Sequence, residues 1–168
     1  GGDLSRPLAK PKGGKASVNG YALSGGFTPD RLGVQWCFHQ PRPDEMDRVA
    51  FVGDVLRLSA AGSSPMDGSP LACIVGDRAY QVEVTLELDG AGAEGGILLF
   101  YNSKAFVGLG FTADTVKTFQ YAEELAWARN PRATREVRVR LTNDGNVVTY
   151  EYSHDGGRTW TLHGTRME

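Results

Sequence analysis

Residues 95–111 read Gly95-Gly-Ile-Leu-Leu-Phe-Tyr-Asn-Ser-Lys-Ala-Phe-Val-Gly-Leu-Gly-Phe111. Runs of aliphatic and aromatic residues bounded by glycines are typical of strands packed on both faces. A polar break, Asn102-Ser103-Lys104, separates the two runs. The stretch therefore predicts two buried strands joined by a short turn. We expect four of its side chains to lie in the core: Ile97, Leu99, Val107 and Leu109.

The polar break also carries side chains suited to a sugar ligand. Tyr101 offers a flat ring for the apolar face of a sugar, while the Asn102 amide and the Lys104 ammonium offer hydrogen-bonding groups for its hydroxyls. We therefore predict that Tyr101, Asn102 and Lys104 belong to a ligand site at one strand end.

The rest of the chain also reads as short strands divided by turns. In residues 80–88, Val82, Val84, Leu86 and Leu88 alternate with polar residues, which predicts a half-exposed strand. Gly53-Asp54 sits between two apolar runs and is a hairpin signal. Strand and turn signals recur and no long helical period is present, so we predict an all-β antiparallel sandwich or jelly roll. Residues 123–131 read as a loop or a short helical turn.

The chain divides into two parts by composition. Residues 1–20 are rich in Gly, Pro, Lys and Ser and show no hydrophobic period, which indicates a linker or an extended arm. Residues 21–168 form the predicted β-sandwich module. Its length is sufficient for one domain with its own core.

Charge and composition argue against several classes of protein. The formal net charge is −2, from 18 basic and 20 acidic side chains, so the basic field of a nucleic-acid-binding protein is missing. No apolar run is long enough to cross a membrane. Cys37 and Cys73 form no CxxC pair, which disfavours a zinc site. We expect them to be buried free thiols, and the alternative is a disulfide between them. No hydrophobic signal region is present, so the sequence does not indicate the cellular compartment of the protein.

The segment Ser153–Trp160 fits the Asp-box pattern S-x-D-x-G-x-T-W. Asp155 can accept backbone N–H bonds across a turn and Gly157 can adopt a positive φ, so we interpret the motif as a hairpin cap and not as a binding site. The carboxylates of the chain show no spacing that singles out a catalytic pair, and we predict no catalysis by this chain. We expect no cofactor; the alternative is a calcium ion, although no ligand-spaced Asp cluster is visible.

Two further residues are candidates for a sugar site. Trp127 lies in a polar segment where no strand period requires a ring, so we predict that it is a ligand platform. Gln120, at the end of a predicted strand, is a candidate polar partner. The sequence does not decide between Trp127 and Tyr101 as the stacking ring.

Taken in order, several segments resemble the C-terminal β-sandwich module of glycoside hydrolase family 43 β-xylosidases and α-L-arabinofuranosidases. The matching segments are Gly1–Pro7, Leu32-Gly-Val-Gln-Trp36, Ser69-Pro-Leu71, Gly76-Asp-Arg-Ala-Tyr80, Gly96–Asn102, Gly108-Leu-Gly110 and the block Arg138–Trp160. The likeness spans nearly the whole chain.

The resemblance implies a concanavalin A-like jelly roll that accompanies a β-propeller catalytic domain, which holds the catalytic carboxylates. It also implies a non-catalytic carbohydrate-binding module whose partner is xylan or xylo-oligosaccharide. The alternative is a structural module that packs on the propeller and shapes its pocket without binding free sugar.

The chain departs from the family pattern at two places. Gly25-Gly26 stands where an acidic pair is expected, so any role of those acids is lost. The family pattern also continues beyond Glu168, and a jelly roll without its last strands has open sheet edges. We therefore expect the last strands to be absent from the chain, or to be supplied by another segment or chain.

Overall fold

The structure is a computed structural model that describes Leu23, Phe27 and residues 32–90, 92–125 and 135–164. Within these residues the chain forms one 3₁₀ helix, Glu45–Arg48, and twelve strands. The strands are β1 (Trp36–Phe38), β2 (Val49–Val52), β3 (Val55–Leu58), β4 (Leu71–Cys73), β5 (Ala79–Glu87), β6 (Gly95–Asn102), β7 (Ala105–Phe111), β8 (Val116–Gln120), β9 (Glu123–Leu125), β10 (Glu136–Asp144), β11 (Val147–Ser153) and β12 (Thr161–Leu162). The all-β prediction is confirmed.

Eight of these strands build two four-stranded antiparallel sheets. Sheet I has the order β12-β11-β10-β5, and sheet II has the order β6-β7-β8-β9. The pairs β1–β4 and β2–β3 form two smaller sheets. No helix in the described part of the chain is long and apolar enough to span a membrane.

The core lies between sheet I and sheet II. Strand β5 pairs with β10 so that Val84 lies opposite Val139 and Leu86 lies opposite Val137. Because side chains on a strand alternate between faces, this register places one apolar row on the core side, as the alternation predicts. The buried cluster contains Leu109, Phe111, Val116, Val137, Val139, Leu141, Val148, Tyr150 and Tyr152.

Two buried polar contacts also join the sheets. The Tyr150 hydroxyl on sheet I donates to the Val107 carbonyl on sheet II at 3.0 Å, and burial raises the pKa of this phenol well above its usual value. His163 lies next to Thr118 with 3.0 Å between Nε2 and Oγ1, and burial lowers the pKa of its imidazole. Satisfied contacts of this kind fix one packing of two sheets, because either partner alone would be a buried unsatisfied group.

The stretch 95–111 forms the β6–β7 hairpin, as predicted. Leu109 is fully buried, and Ile97 and Val107 pack against the core cluster. The prediction was wrong for Leu99, which is 36% exposed. The physical reason is its position on β6, the first strand in the order of sheet II among the described residues, where side chains have a paired strand on one side.

Two other sequence predictions need correction. Glu123–Leu125 form strand β9 where a loop or helical turn was expected, because they pair with Thr118–Gln120 of β8. The cysteines are free, but Cys37 is exposed and Cys73 half-buried, since the small β1–β4 sheet is not enclosed as the core sheets are. The predicted linker, residues 1–20, lies outside the described residues.

Candidate functional site

Tyr101 stands at an irregular point of the β6–β7 ladder. Phe100 pairs with Phe106 and Asn102 pairs with Ala105, so Tyr101 is an extra residue between two paired positions. This is a β-bulge, which redirects a side chain at a strand end. The Tyr101 side chain is 84% exposed. The bulge therefore presents the ring to solvent, away from the core that takes most large aromatic side chains.

The turn that follows Tyr101 is held by a side chain. Asn102 Oδ1 accepts a hydrogen bond from the Lys104 backbone N–H at 2.8 Å. This is an Asx turn, which explains why an asparagine closes the hairpin here. The Asn102 oxygen thus stabilises the turn, while its amide NH₂ and the exposed Lys104 ammonium are donors at the same tip.

Gln120 lies at the same end of sheet II. It is the last residue of β8 and pairs with Glu123 across a two-residue turn. That turn is fastened to β7, because the Ala122 N–H donates to the Phe106 carbonyl at 3.2 Å. Since Phe106 in turn pairs with Phe100 on β6, the structure brings four predicted site residues to one end of the sheet: Tyr101, Asn102, Lys104 and Gln120.

One predicted site residue cannot be placed, and one was missed. Trp127 lies outside the described residues, so its role as a platform stays a prediction. Tyr121 is 68% exposed at the same sheet end but was not among the candidate residues. Its turn consists of Tyr121 and Ala122, and neither is one of the Gly, Asn or Asp residues that signal a tight hairpin. The exposed ring could have been found only by recognising β9.

The Asp box forms the capped hairpin turn that the motif predicts. The Asp155 carboxylate accepts hydrogen bonds from the Arg158 and Thr159 N–H groups, both at 2.9 Å, and from the Thr159 hydroxyl at 2.7 Å. These bonds, led by the one from the Thr159 hydroxyl, lower the pKa of Asp155 far below its usual value. The carboxylate therefore acts as an ionised cap that holds the loop in shape.

Trp160 is engaged in a charged network on the outer face of sheet I. The Arg140 guanidinium lies 3.8 Å from the Trp160 ring centroid and forms ion pairs with Glu83 at 3.1 Å and Glu151 at 3.3 Å. The hydrogen bonds to these two carboxylates raise the pKa of Arg140. A cation–π contact of this kind occupies one face of the indole. Trp160 is therefore a weaker candidate for a sugar platform than Tyr101.

A second group of charges lies on sheet II. The Lys117 ammonium is 2.8 Å from Glu94 and 3.3 Å from Glu124, and its hydrogen bond to Glu94 is the main cause of its raised pKa. Both carboxylates thus neutralise one cation. A glycosidase needs a protonated carboxyl group opposite an ionised one across the bond to be cleaved, and two carboxylates that share a lysine do not provide that division of roles.

The described residues include no group of three or more His, Cys, Asp or Glu side chains that could hold a metal ion. The expectation about cofactors and calcium stays a prediction. What the described part of the chain does provide is an exposed aromatic ring, Tyr101, near amide and ammonium donors.

Comparison with known proteins agrees with this fold. The family model described as "Beta xylosidase C-terminal Concanavalin A-like domain" matches residues 24–168. A similar solved structure is that of the GH43 protein BlXynB, mutant K247S, from Bacillus licheniformis, with a TM-score of 0.68 and 16% sequence identity. The match covers 80% of this chain and only 28% of that chain. The chain matches no curated protein.

Proposed function

The chain belongs to the family of β-xylosidase C-terminal concanavalin A-like domains, and from this premise we propose that it is a non-catalytic module that binds xylan or xylo-oligosaccharides. The observation that carries the proposal is the 84% exposed ring of Tyr101, which a β-bulge holds at the end of sheet II. Large exposed rings among polar donors are typical of surfaces that bind amphipathic ligands.

The binding step combines stacking with hydrogen bonds. The face of the Tyr101 ring packs on the apolar C–H face of a sugar, and the Asn102, Lys104 and Gln120 side chains hydrogen-bond to its hydroxyls. These polar groups also form good hydrogen bonds with water. Each hydrogen bond to the sugar therefore replaces one to water and contributes little to the binding free energy. The affinity therefore depends on the ring, and it is expected to be weak.

Replacing Tyr101 with alanine is expected to weaken xylan binding by about tenfold, the loss of one aromatic contact. The measurement is retardation of the chain by soluble xylan in a native gel. Tyr101→Phe is the matched control, because it keeps the ring and should keep most of the retardation. The proposal fails if the unsubstituted chain is retarded by none of xylan, arabinoxylan and cellulose.

A second candidate function is a structural one, in which the module braces a β-propeller catalytic domain. The small β2–β3 sheet favours this structural role, because Val52 and Val55 on its hairpin are 56% and 61% exposed. Leu58 on the same hairpin is 40% exposed, and Met46 in the 3₁₀ helix before it is 53% exposed. Adjacent apolar side chains in solvent are typical of a surface that another protein covers.

The double substitution Val52→Ser and Val55→Ser separates the two functions. If the hairpin is a docking surface, the variant associates at least tenfold more weakly with the separately produced catalytic domain of the parent enzyme, measured by sedimentation, and its retardation by xylan is unchanged. Tyr101→Ala serves as the converse control and should leave the association intact. Equal association of variant and unsubstituted chain contradicts the structural role of this hairpin.

A further inference from the structure

The short strand β12 has little of its own to hold it on the sandwich. Thr161 and Leu162 pair with two residues of β11, but both side chains are exposed, Leu162 by 63%. Neither of them therefore adds the apolar burial that would keep the strand in place. What fastens β12 is the next residue, His163, whose backbone N–H donates to the Tyr150 carbonyl at 2.8 Å.

The His163 side chain crosses from sheet I to sheet II. It is 7% exposed, and its Nε2 lies 3.0 Å from Oγ1 of Thr118 on β8, a residue that is 1% exposed. One of these atoms donates a hydrogen bond to the other, so each buried group satisfies its partner. On the next strand, β11, the Tyr150 hydroxyl makes the same crossing to the Val107 carbonyl of β7. The contact between His163 and Thr118 thus fastens β12 to β8.

The ionisable side chains around His163 do not stabilise its charged form. Strand β12 has none. On β11 the Glu151 carboxylate pairs with Arg140, and on β8 the Lys117 ammonium pairs with two carboxylates. The other ionisable residues of β9 and β11 are two exposed carboxylates and two phenols, Glu123, Glu124, Tyr150 and Tyr152. Burial is the cause of the lowered pKa of the imidazole, so the fold favours its neutral form.

We propose that His163 is a proton-operated latch, in which protonation of the imidazole releases β12 from the edge of β11 while the two core sheets stay folded. In the closed position an imidazolium is a buried charge without a counter-ion, whereas release returns it to water. Release exposes little else, because the Thr161 and Leu162 side chains are already in solvent. It ends at Trp160, which precedes β12 and lies under the Arg140 guanidinium.

The direction of the pH dependence follows from the burial of His163. In the released chain the imidazole titrates at its usual pKa of 6.5, and burial lowers the pKa in the closed latch. The attachment of β12 is therefore at full strength above the usual pKa and is lost as the pH falls through the lower pKa of the closed form. In mild acid the edge of β11 then presents unpaired N–H and C=O groups to solvent.

Amide hydrogen exchange followed by NMR tests the latch, because it reports on single backbone groups. Between about pH 7.5 and about pH 5, the protection of the His163 N–H should fall by about tenfold or more, since one unit of pKa shift corresponds to a factor of ten. The amides of β10, which lies between β5 and β11, should remain protected in mild acid. Loss of protection in β10 at the same pH would mean global unfolding and would overturn the proposal.

The variant His163→Gln separates protonation from other effects of acid, because glutamine keeps a hydrogen-bonding group for Thr118 and does not titrate. After correction for intrinsic exchange, the amide of residue 163 in this variant should be equally protected at both pH values. His154→Gln is the matched control, since it removes a different imidazole and should keep the pH dependence. A loss in His163→Gln as large as in the unsubstituted chain contradicts the latch.

An NMR titration of the His163 ring in the unsubstituted chain needs no variant. A pKa below the usual value of 6.5 supports the latch, and a pKa at or above it overturns the proposal.

Discussion

Replacing Phe111 with alanine is expected to lower the free energy of unfolding by about 3–5 kcal/mol, the range measured for buried Phe→Ala changes. Phe111 ends β7 and is 0% exposed, and its ring forms a T-shaped contact with the Tyr152 ring of sheet I, with 5.9 Å between the centroids. The change removes the buried ring and leaves a cavity between the two sheets. Because domains are stable by only about 5–15 kcal/mol in total, this loss is a large share.

Urea denaturation followed by tryptophan fluorescence measures this change. The matched control is Val34→Ala, because Val34 is 91% exposed and truncation of an exposed aliphatic side chain costs less than about 0.5 kcal/mol. If the two variants unfold at the same urea concentration, the assignment of Phe111 to the core between the sheets is wrong.

The sequence predicts most of the fold because its strongest signals are local. Alternation in residues 80–88 predicts the core face of β5, and the Gly53-Asp54 turn predicts the β2–β3 hairpin, where Gly53 indeed has a φ of 60°. The Asp box is likewise defined within one short segment, and its hydrogen bonds join residues no more than four apart. Such features do not depend on distant parts of the chain.

The sequence fails where long-range pairing decides the structure. Strand β9 contains Glu123, Glu124 and Leu125, which have little β propensity, and it exists because β8 lies beside it. The exposure of Leu99 depends on the position of β6 at the start of the strand order of sheet II, which only the strand pairing shows. Tyr121 was missed for the same reason, since its turn can be recognised only when β9 is known.

The candidate site was predicted in part. Tyr101, Asn102 and Lys104 are close in sequence and their common position follows from one hairpin. That Gln120 lies at the same sheet end depends on the pairing of β7 with β8. Asn102 shows a limit of residue-type reasoning, because its oxygen caps the turn. A side chain whose chemistry suits a ligand can already be engaged in a hydrogen bond within the fold.

Replacing Gly108 with valine is the second change with a large expected effect. Gly108 lies opposite Leu98 in the β6–β7 ladder. A Cβ atom at this position would clash with the Ile97 carbonyl oxygen and would lie 2.9 Å from the Leu98 Cα. Both are backbone atoms, so the clash can be relieved only by moving β6 away from β7. We expect the free energy of unfolding to fall by about 2–3 kcal/mol, as for overpacked cores.

Comparing the thermal unfolding of Gly108→Val with that of Gly76→Val tests the close approach of β6 and β7. A Cβ atom at Gly76 would meet no atom within 4 Å, so the control should melt close to the unsubstituted chain. Gly108→Val should melt several degrees lower. Equal melting of the two variants would contradict the close packing of β6 on β7.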